Sequence, residues 1–586
     1  MVVAEFAQRR SGAELCIELG LRGILNRSEF RICPQWVCLH GADRQRKNVA
    51  LNAECYPITV VPGLHRLFLD YCSGAASARA FYGALPGDES RPARPVLPAH
   101  WAELATLLAE QNSSPSPAAE AALEALRGGA GVVVTGQQVG LFGGPLFTAY
   151  KAATALARAR ELSAAGRSHV AVFWLASEDH DFAEINHVVF PARRELRRLE
   201  YARAPETPQP VGGIALDDSI TPLVAEAREL LGESEAMDAL AAAYQPGRSF
   251  AQAFRQFYAT VFAAQGLLVL DAGGREAHRM GAPVLRAALE RADELHAALV
   301  ERNRELETAG YHVQVAVKPQ SSLLFLMDEQ SGARVALKRL TPSAEEPEGL
   351  WQAGRQRYST AELVGVLEDE PERISPSALL RPVFQDFLLS SSELIGGPAE
   401  IAYFAQTAVL YERVMGRMTP ARPRFSATLI EPEIDKLLKV HELTLDLVLQ
   451  ESVATLAQRL GARLIPAEGK RRLAETGAAL EAELTALIEW MQSLDGGLGQ
   501  SAESAASKIR YQMNRLRQLA ANFQLQREAT LGRHAEAISQ ALYPGGALQE
   551  RVHGVAYYFA RYGFDLAEEL TAQAARCSTG HTEIRL

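Results

Sequence analysis

GVVVTGQQVGLFGGPLFTAYKAATALARAREL at 131–162, followed by VAVFWLASEDHDFAEINH at 170–187, decides the fold. GVVVTG at 131–136 is a short β-branched run closed by glycine, the pattern of a buried strand. A glycine-rich loop carries the chain to Gly144. Pro145 then stands where a helix N1 proline belongs, ahead of LFTAYKAATALARAREL at 146–162. VAVFWLA at 170–176 is a second buried strand. Strand, loop, helix and strand within about 45 residues make a βαβ unit, hence an α/β fold on a parallel sheet with a right-handed crossover.

Working outward, further strands are expected at LLVLD (267–271), HVQVAV (312–317) and LLFLM (323–327), with helices over 220–265 and 275–309. A helix over 98–126 is broken by SSPSP at 113–117, and the acidic PSAEEPEG at 342–349 reads as an exposed loop. The first fifty or so residues, with the basic cluster Arg44, Arg46 and Lys47, lack sustained periodicity and read as a weakly packed extension. After Pro432 the character changes. Leu473, Gly477, Leu480, Leu484, Leu487, Met491 and Leu494 repeat in alternating steps of four and three. So do Ala502, Ala506, Ile509, Met513, Leu516, Ala520 and Phe523. These are heptad seams, with DGGLG at 495–499 as the turn of an antiparallel helical hairpin. After Arg527 the phase slips and resumes at Leu531, Ala535, Ile538 and Leu542, a stutter. An arm that dimerises is favoured over a helical pair packed on its own domain.

Composition narrows the function classes. Lys+Arg 60 against Asp+Glu 70 gives a net charge of −10, which argues against a general nucleic-acid binder, since phosphate binding needs a basic field. No apolar run approaches the roughly 18 residues that cross a bilayer. The six cysteines include no CxxC pair, so a thiolate zinc site has no support. MVVAEFAQRRSGAELC lacks the layout of a secretory signal, and the sparse cysteines read as reduced and cytoplasmic.

Parallel α/β sheets bind ligands outside the carboxyl ends of their strands, so the loops after the two strands share a rim. The first supplies Gly136, Gln137, Gln138, Gly140, Gly143 and Gly144, then Tyr150 and Lys151 on the helix. Glycine permits close backbone approach, a helix start offers N–H groups and a positive dipole end, and Lys151 adds a full charge; all favour a phosphate or carboxylate. The loop is neither GxxxxGK[ST] nor a regular GxGxxG. The second string packs Glu178, Asp179, His180, Asp181, Glu184, Asn186 and His187 together. Carboxylates beside a histidine raise its basicity and fix its tautomer, as a general base requires. His180, Glu184 and His187 have near-helical spacing, yet match no established zinc pattern, and no metal is assigned. A plain helix cap at Asp179 or Asp181 is the bland alternative. Asp271, closing LLVLD, joins this rim. In RPVFQDFLLSSSELIGGPAEIAYFAQ (381–406), Gln385, Gly397 and Glu400 surround another glycine-to-helix junction, suited to an anion or an amine and equally to a purely structural start.

TGQQVGLFGGPLFTAYK with FWLASEDHDFAEINHV, together with RPVFQDF…IGGPAEIAYFAQ and LYPGGALQERVHGVAYYFARYGFDL, resembles the cysteine-adding enzyme family of bacillithiol biosynthesis, BshC. The likeness spans about Tyr56 to Leu570. It implies a Rossmann-like core over 54–431 with inserted connecting segments near 201–255 and 275–380. A coiled-coil arm over 432–545 and a returning segment at 546–586 follow, with residues 1–53 outside. The implied reaction joins L-cysteine to the amine of glucosaminyl-malate as an amide, and the implied assembly is a homodimer through the arm. Activating a carboxylate in water calls for a nucleoside triphosphate, ATP or another nucleotide, as co-substrate. On this reading His180, oriented by Asp179 or Asp181, deprotonates the sugar ammonium, and the other named residues bind substrate. A nucleotidyl transferase on the same sheet, a metal-dependent hydrolase and a non-catalytic coiled-coil scaffold are the rivals.

Overall fold

The computed structural model describes residues 52–83, 97–192, 195–340 and 350–586. The strands of this part, in chain order, begin with β1 (Asn52–Pro57), β2 (Gly131–Gln137), β3 (His169–Leu175), β4 (His187–Pro191) and β5 (Leu196–Glu200). They continue with β6 (Leu268–Asp271), β7 (Ser321–Met327), β8 (Arg334–Arg339), β9 (Trp351–Ala353) and β10 (Gln356–Tyr358). β11 (Ile374–Pro376), β12 (Glu393–Gly396), β13 (Ala421–Pro423), β14 (Ser426–Ile430) and β15 (Gly580–Arg585) complete them.

The central sheet is parallel throughout, in the order β13-β12-β2-β3-β6. Its strands read as continuous apolar runs because both faces are covered. Val132, Val134, Val170, Val172, Trp174, Leu268 and Leu270 point into one core cluster. Val133, Ala171, Phe173, Leu175, Val269 and Ile395 point into the other. The Phe147–Ala164 helix is the crossover from β2 to β3.

Around this core sit an antiparallel sheet in the order β10-β9-β8-β7-β11, the β4–β5 ladder, and a three-stranded sheet in the order β1-β15-β14. LLFLM therefore joins the antiparallel sheet as part of β7 rather than the parallel one. HVQVAV at 312–317 forms no strand. The Gln406 side chain replaces a strand partner there, its Oε1 accepting from Val315 N and its Nε2 donating to Val315 O, both at 2.9 Å. Pro145 is not at helix N1. The helix begins at Phe147, and Pro145 instead bridges Gly554. Asn52 and Ala53 already belong to β1, so the globular part starts before residue 54. The basic cluster at 44–47 and the loop at 342–349 lie outside the described residues.

The hairpin is formed by the helices Ala467–Leu494 and Gly496–Arg527. Its turn is a single residue, Asp495, whose side chain accepts from Leu498 N at 2.9 Å; the glycines expected in the turn are already helical. The phase slip after Arg527 is a break at Glu528 before the Ala529–Leu542 helix. Only part of the seam is covered within this chain. Leu484, Ala506 and Met513 are buried, whereas Leu487, Leu494, Ile509, Leu516 and Phe523 are exposed. No helix of the described residues is long and apolar enough to cross a membrane.

Cys55 on β1 and Cys577 ahead of β15 form a disulfide, with Cα atoms 6.1 Å apart, correcting the expectation of fully reduced cysteines. Gly580 makes room for it: a Cβ there would lie 2.6 Å from Cys55 Sγ and 2.8 Å from Cys577 Sγ. Cys72 is a free thiol, its pKa pushed up to about 12 by burial.

Candidate functional site

Register places the strand ends side by side. Gln137 pairs with Leu175, Leu175 with Asp271, and Ile395 with Thr135. The loops leaving β2, β3, β6 and β12 therefore share one rim. The strand order reverses between β2 and β12, the switch point where open α/β sheets usually take ligands.

At that switch point the protein's own side chains fill the crevice. Lys151 is 3% exposed, and its Nζ donates to Gly136 O at 2.7 Å and Gln137 Oε1 at 2.9 Å while pairing with Glu400. Burial holds the Lys151 pKa below its ordinary value, and Glu400 offsets part of that. Glu400 also accepts from Gly397 N at 2.8 Å, satisfying one free N–H at the start of the Pro398–Met415 helix. Arg381 bonds Gln385 Oε1 at 2.9 Å and Tyr403 Oη at 2.7 Å.

The glycine loop is likewise spoken for. Gly143 donates to Tyr244 Oη at 2.9 Å and accepts from Tyr258 Oη at 2.9 Å. At φ +85° a Cβ on Gly143 would meet the Phe257 ring at 2.7 Å, so glycine is required. Gly144 O accepts from Val555 N at 3.0 Å, and Leu146 N donates to His553 O at 2.8 Å. Tyr150 packs edge-on against Phe425 at 5.3 Å in the core. The picture of an open helix start awaiting an anion is thus corrected: these loop groups are turned inward to packing partners.

The second string converges on the first through Gln138. Its Nε2 donates to Asp179 Oδ2 at 2.6 Å and to Glu184 Oε2 at 2.8 Å. Asp179 Oδ1 accepts from His180 N at 2.7 Å, which orients the loop. Asp181 caps the short Phe182–Ile185 helix by accepting from Glu184 N. His180 Nδ1 lies 3.3 Å from Arg334 Nη1 and 3.8 Å from Asp179 Oδ1, and its ring leans on Phe325. Arginine only donates, so the His180–Arg334 contact makes Nδ1 the acceptor of a neutral ring. Arg334 itself is buried, stacked 3.9 Å over Phe325 and bonded to Ser375 Oγ at 3.0 Å and Pro376 O at 2.8 Å.

Asn186 and His187 stand apart from this group. Asn186 staples the β4–β5 ladder through Glu200 Oε1 and Tyr201 O, both at 3.2 Å, and His187 Nδ1 lies 3.2 Å from Asn186 Oδ1. Burial lowers the His187 pKa.

An open cavity of about 490 Å³ lies over the ends of β3 and β6, lined by Ser177, Glu178, Asp271, Gly273, Gly274, Arg255, Arg373 and Ser375 among others. Ser177 Oγ donates to Asp271 Oδ1 at 2.5 Å, and Gly273 N donates to the same oxygen at 3.1 Å. Glu178 Oε1 sits 2.9 Å from Nε2 of the buried His278, a charge-pair distance outside hydrogen-bond alignment. His278 Nδ1 faces Ile374 O at 2.9 Å and Pro371 O at 3.1 Å, which demands a proton there. Burial opposes the charge, but Glu178 and these carbonyls outweigh it and hold the His278 pKa above its ordinary value.

Two family models account for nearly all of the described chain. "Bacillithiol biosynthesis BshC, N-terminal Rossmann-like domain" matches residues 51–425, and "Bacillithiol biosynthesis BshC, C-terminal coiled-coil domain" matches 427–586. The chain belongs to the BshC family. Similar relatives, each bearing the name "Putative cysteine ligase BshC", include a protein of Koribacter versatilis (strain Ellin345). It is 41% identical over 540 residues, 91% of this chain and 99% of that protein. One from Solibacter usitatus (strain Ellin6076) is 37% identical over 74% of this chain and 80% of its own. One from Salinibacter ruber (strain DSM 13855 / M31) is 32% identical over 86% and 93%. Family and architecture therefore agree: a Rossmann-like BshC core followed by a coiled-coil domain, in a ligase family acting on small molecules.

Sequence reasoning missed Arg334, His278, Arg381 and Ser177. DAGG at 271–274 was a readable signal for His278, because it repeats the strand-end, glycine, helix pattern. Arg334 gave none, since it reaches the rim from the inserted antiparallel sheet.

Proposed function

We propose that this BshC-family chain joins the carboxylate of L-cysteine to the amine of glucosaminyl-malate, forming an amide, with a nucleoside triphosphate consumed to activate the carboxylate. The observation that carries the proposal is the Gln138 bridge to Asp179 and Glu184 at the mouth of the rim, beside the cavity over β3 and β6. Amide formation by attack of an amine needs a base for the ammonium proton and polar groups to hold two charged substrates. His180 takes the proton from the substrate ammonium at Nδ1 when the Nδ1 contact with Arg334 opens, the guanidinium keeping its own protons. Asp179, 3.8 Å from the same nitrogen, stabilises the imidazolium that results. Ser177, Glu178 and Asp271 bind substrate in the cavity. The Lys151–Glu400 pair with Gly136, Gln137, Gly397 and Gln385 sets the shape of the neighbouring rim.

The test is mass spectrometry of products after incubating the purified protein with both substrates, with and without ATP. The expected product is the amide, its mass the sum of the substrates less one water, formed only with the nucleotide. His180→Ala should lower turnover by about 10²-fold or more. Undiminished turnover removes His180 from the role.

A further inference from the structure

A second cavity, about 740 Å³, lies on the outer side of the edge strand β6, between the 111–119 segment and one face of the Phe250–Val261 helix. That helix is divided by its sequence. Phe250, Phe254, Phe257, Tyr258 and Val261 are buried in the core, while Gln252, Arg255, Gln256, Ala259 and Thr260 line the cavity. Arg248, just before the helix, lines it as well.

The lining holds two arginines and no carboxylate, in a chain where acids outnumber bases by ten. Neither guanidinium makes a hydrogen bond or ion pair with a described residue. The nearest compensation for Arg255 is the charge of Asp271, whose Oδ1 is already taken by Ser177 and Gly273. Arg255 is half-buried, and that burial lowers its pKa while only the charge of Asp271 opposes the shift. The wall opposite adds the start of the Pro117–Arg127 helix, capped by Ser116, whose dipole end is positive. Gln252 and Arg255 also line the 490 Å³ cavity over β3 and β6, so the two spaces meet at these side chains.

We propose that the outer cavity seats the multiply charged anionic end of a substrate, with Arg255 and Arg248 as its charge partners, while the other end reaches the Ser177–Asp271 cavity. Two sources share this chemistry: a dicarboxylate, such as the malyl group of the acceptor, and the polyphosphate of a nucleotide. Which source applies rests on the ligase reading. The presence of an anion site does not.

Calorimetric titration of the full chain with L-malate, and separately with inorganic pyrophosphate, tests it. At least one anion is expected to bind, with affinity falling as salt rises, and the double variant Arg248→Gln/Arg255→Gln should bind it at least tenfold more weakly. Malate alone assigns the site to the acceptor, and pyrophosphate alone to the nucleotide. A thermal melt checks the fold. Should the glutamine variant unfold, Arg248→Lys/Arg255→Lys, which keeps the charge, should retain binding with loss of fit. Absence of binding by both anions, or equal binding by the double glutamine variant, overturns the proposal. Failure of the ligase reading would show separately, as missing amide product with anion binding intact.

Discussion

Gln138 Nε2 lies 2.6 Å from Asp179 Oδ2 and 2.8 Å from Glu184 Oε2, so one amide ties together two carboxylates that would otherwise repel. It also pins the loop after β3 to the loop after β2, and His180 takes its position from Asp179.

Gln138→Leu removes both bonds and leaves the carboxylates facing each other. Each lost bond is to a charged acceptor, and the site is partly open to solvent, so about 1–2 kcal/mol of stability should go. Turnover should fall by more than that figure implies, because His180 loses its anchor. Paired urea melts and product assays measure the two effects. Equal, small changes in both would make Gln138 a structural residue only.

Lys151→Met deletes a buried ammonium and strands Glu400, whose next cationic neighbour, Arg381, is 4.0 Å away. Breaking a buried pair from one side costs about 3–5 kcal/mol, whereas removing both charges costs far less. The melting temperature of Lys151→Met should therefore drop clearly, and Lys151→Met/Glu400→Gln should recover much of it. A double variant no better than the single one would remove the pair from the account.

His553 and His581 are buried, and burial pushes each pKa down to about 4. Both are hydrogen-bonded as neutral rings, His553 to Tyr558 Oη at 2.9 Å and Gln540 O at 3.0 Å, His581 to Ser426 and Thr428 at 2.8 Å each. The unfolded chain binds protons near pH 6.5, so it holds more protons than the native state between about pH 4 and 6.5. Stability must then rise with pH across that window and fall on acidification, by up to about 3 kcal/mol per ring. His278 has the opposite sign, since its raised pKa gives stability that is lost as pH rises through the folded value. Denaturant melts from pH 4 to 8 check the slope, and His581→Gln should flatten its acid limb.

The arm leaves Leu487, Trp490 and Leu494 exposed near its turn at Asp495, and Leu516, Leu519 and Phe523 exposed nearer its base. These side chains continue or flank the heptad seam, and a second copy of the arm is the expected cover. Trp490→Glu/Leu516→Glu should shift the sedimentation coefficient from dimer to monomer while the far-ultraviolet spectrum stays helical. A wild-type chain that sediments as a monomer at micromolar concentration sinks the proposal.

Much of the core was legible because its signals are local. Val132 to Val134 and Val170 to Leu175 announce doubly covered strands, and register then forces Gln137, Leu175 and Asp271 onto one rim. The direction in which a rim side chain turns is a non-local matter. Lys151 reads as a free cation until Glu400, about 250 residues on in the chain, is known to sit against it. Gly143 reads as an open loop until Tyr244 and Tyr258 occupy its amide and carbonyl. HVQVAV has strand composition, yet Gln406 satisfies its backbone from a helix. The Cys55–Cys577 link was hidden for the same reason, being 522 residues apart in sequence.

His553, Gly554 and Val555 bond Leu146, Val189 and Gly144 respectively, so the end of one recognised domain holds the loop after β2 and the strand β4 of the other. The two parts are consequently not exchangeable modules. A gene shortened after residue 425 would strip three backbone partners from the turn between β2 and its crossover helix and from β4. The clasp lies outside the long hairpin at 467–527, so shortening that hairpin leaves its three bonds untouched, whereas removing 553–555 unfastens the turn.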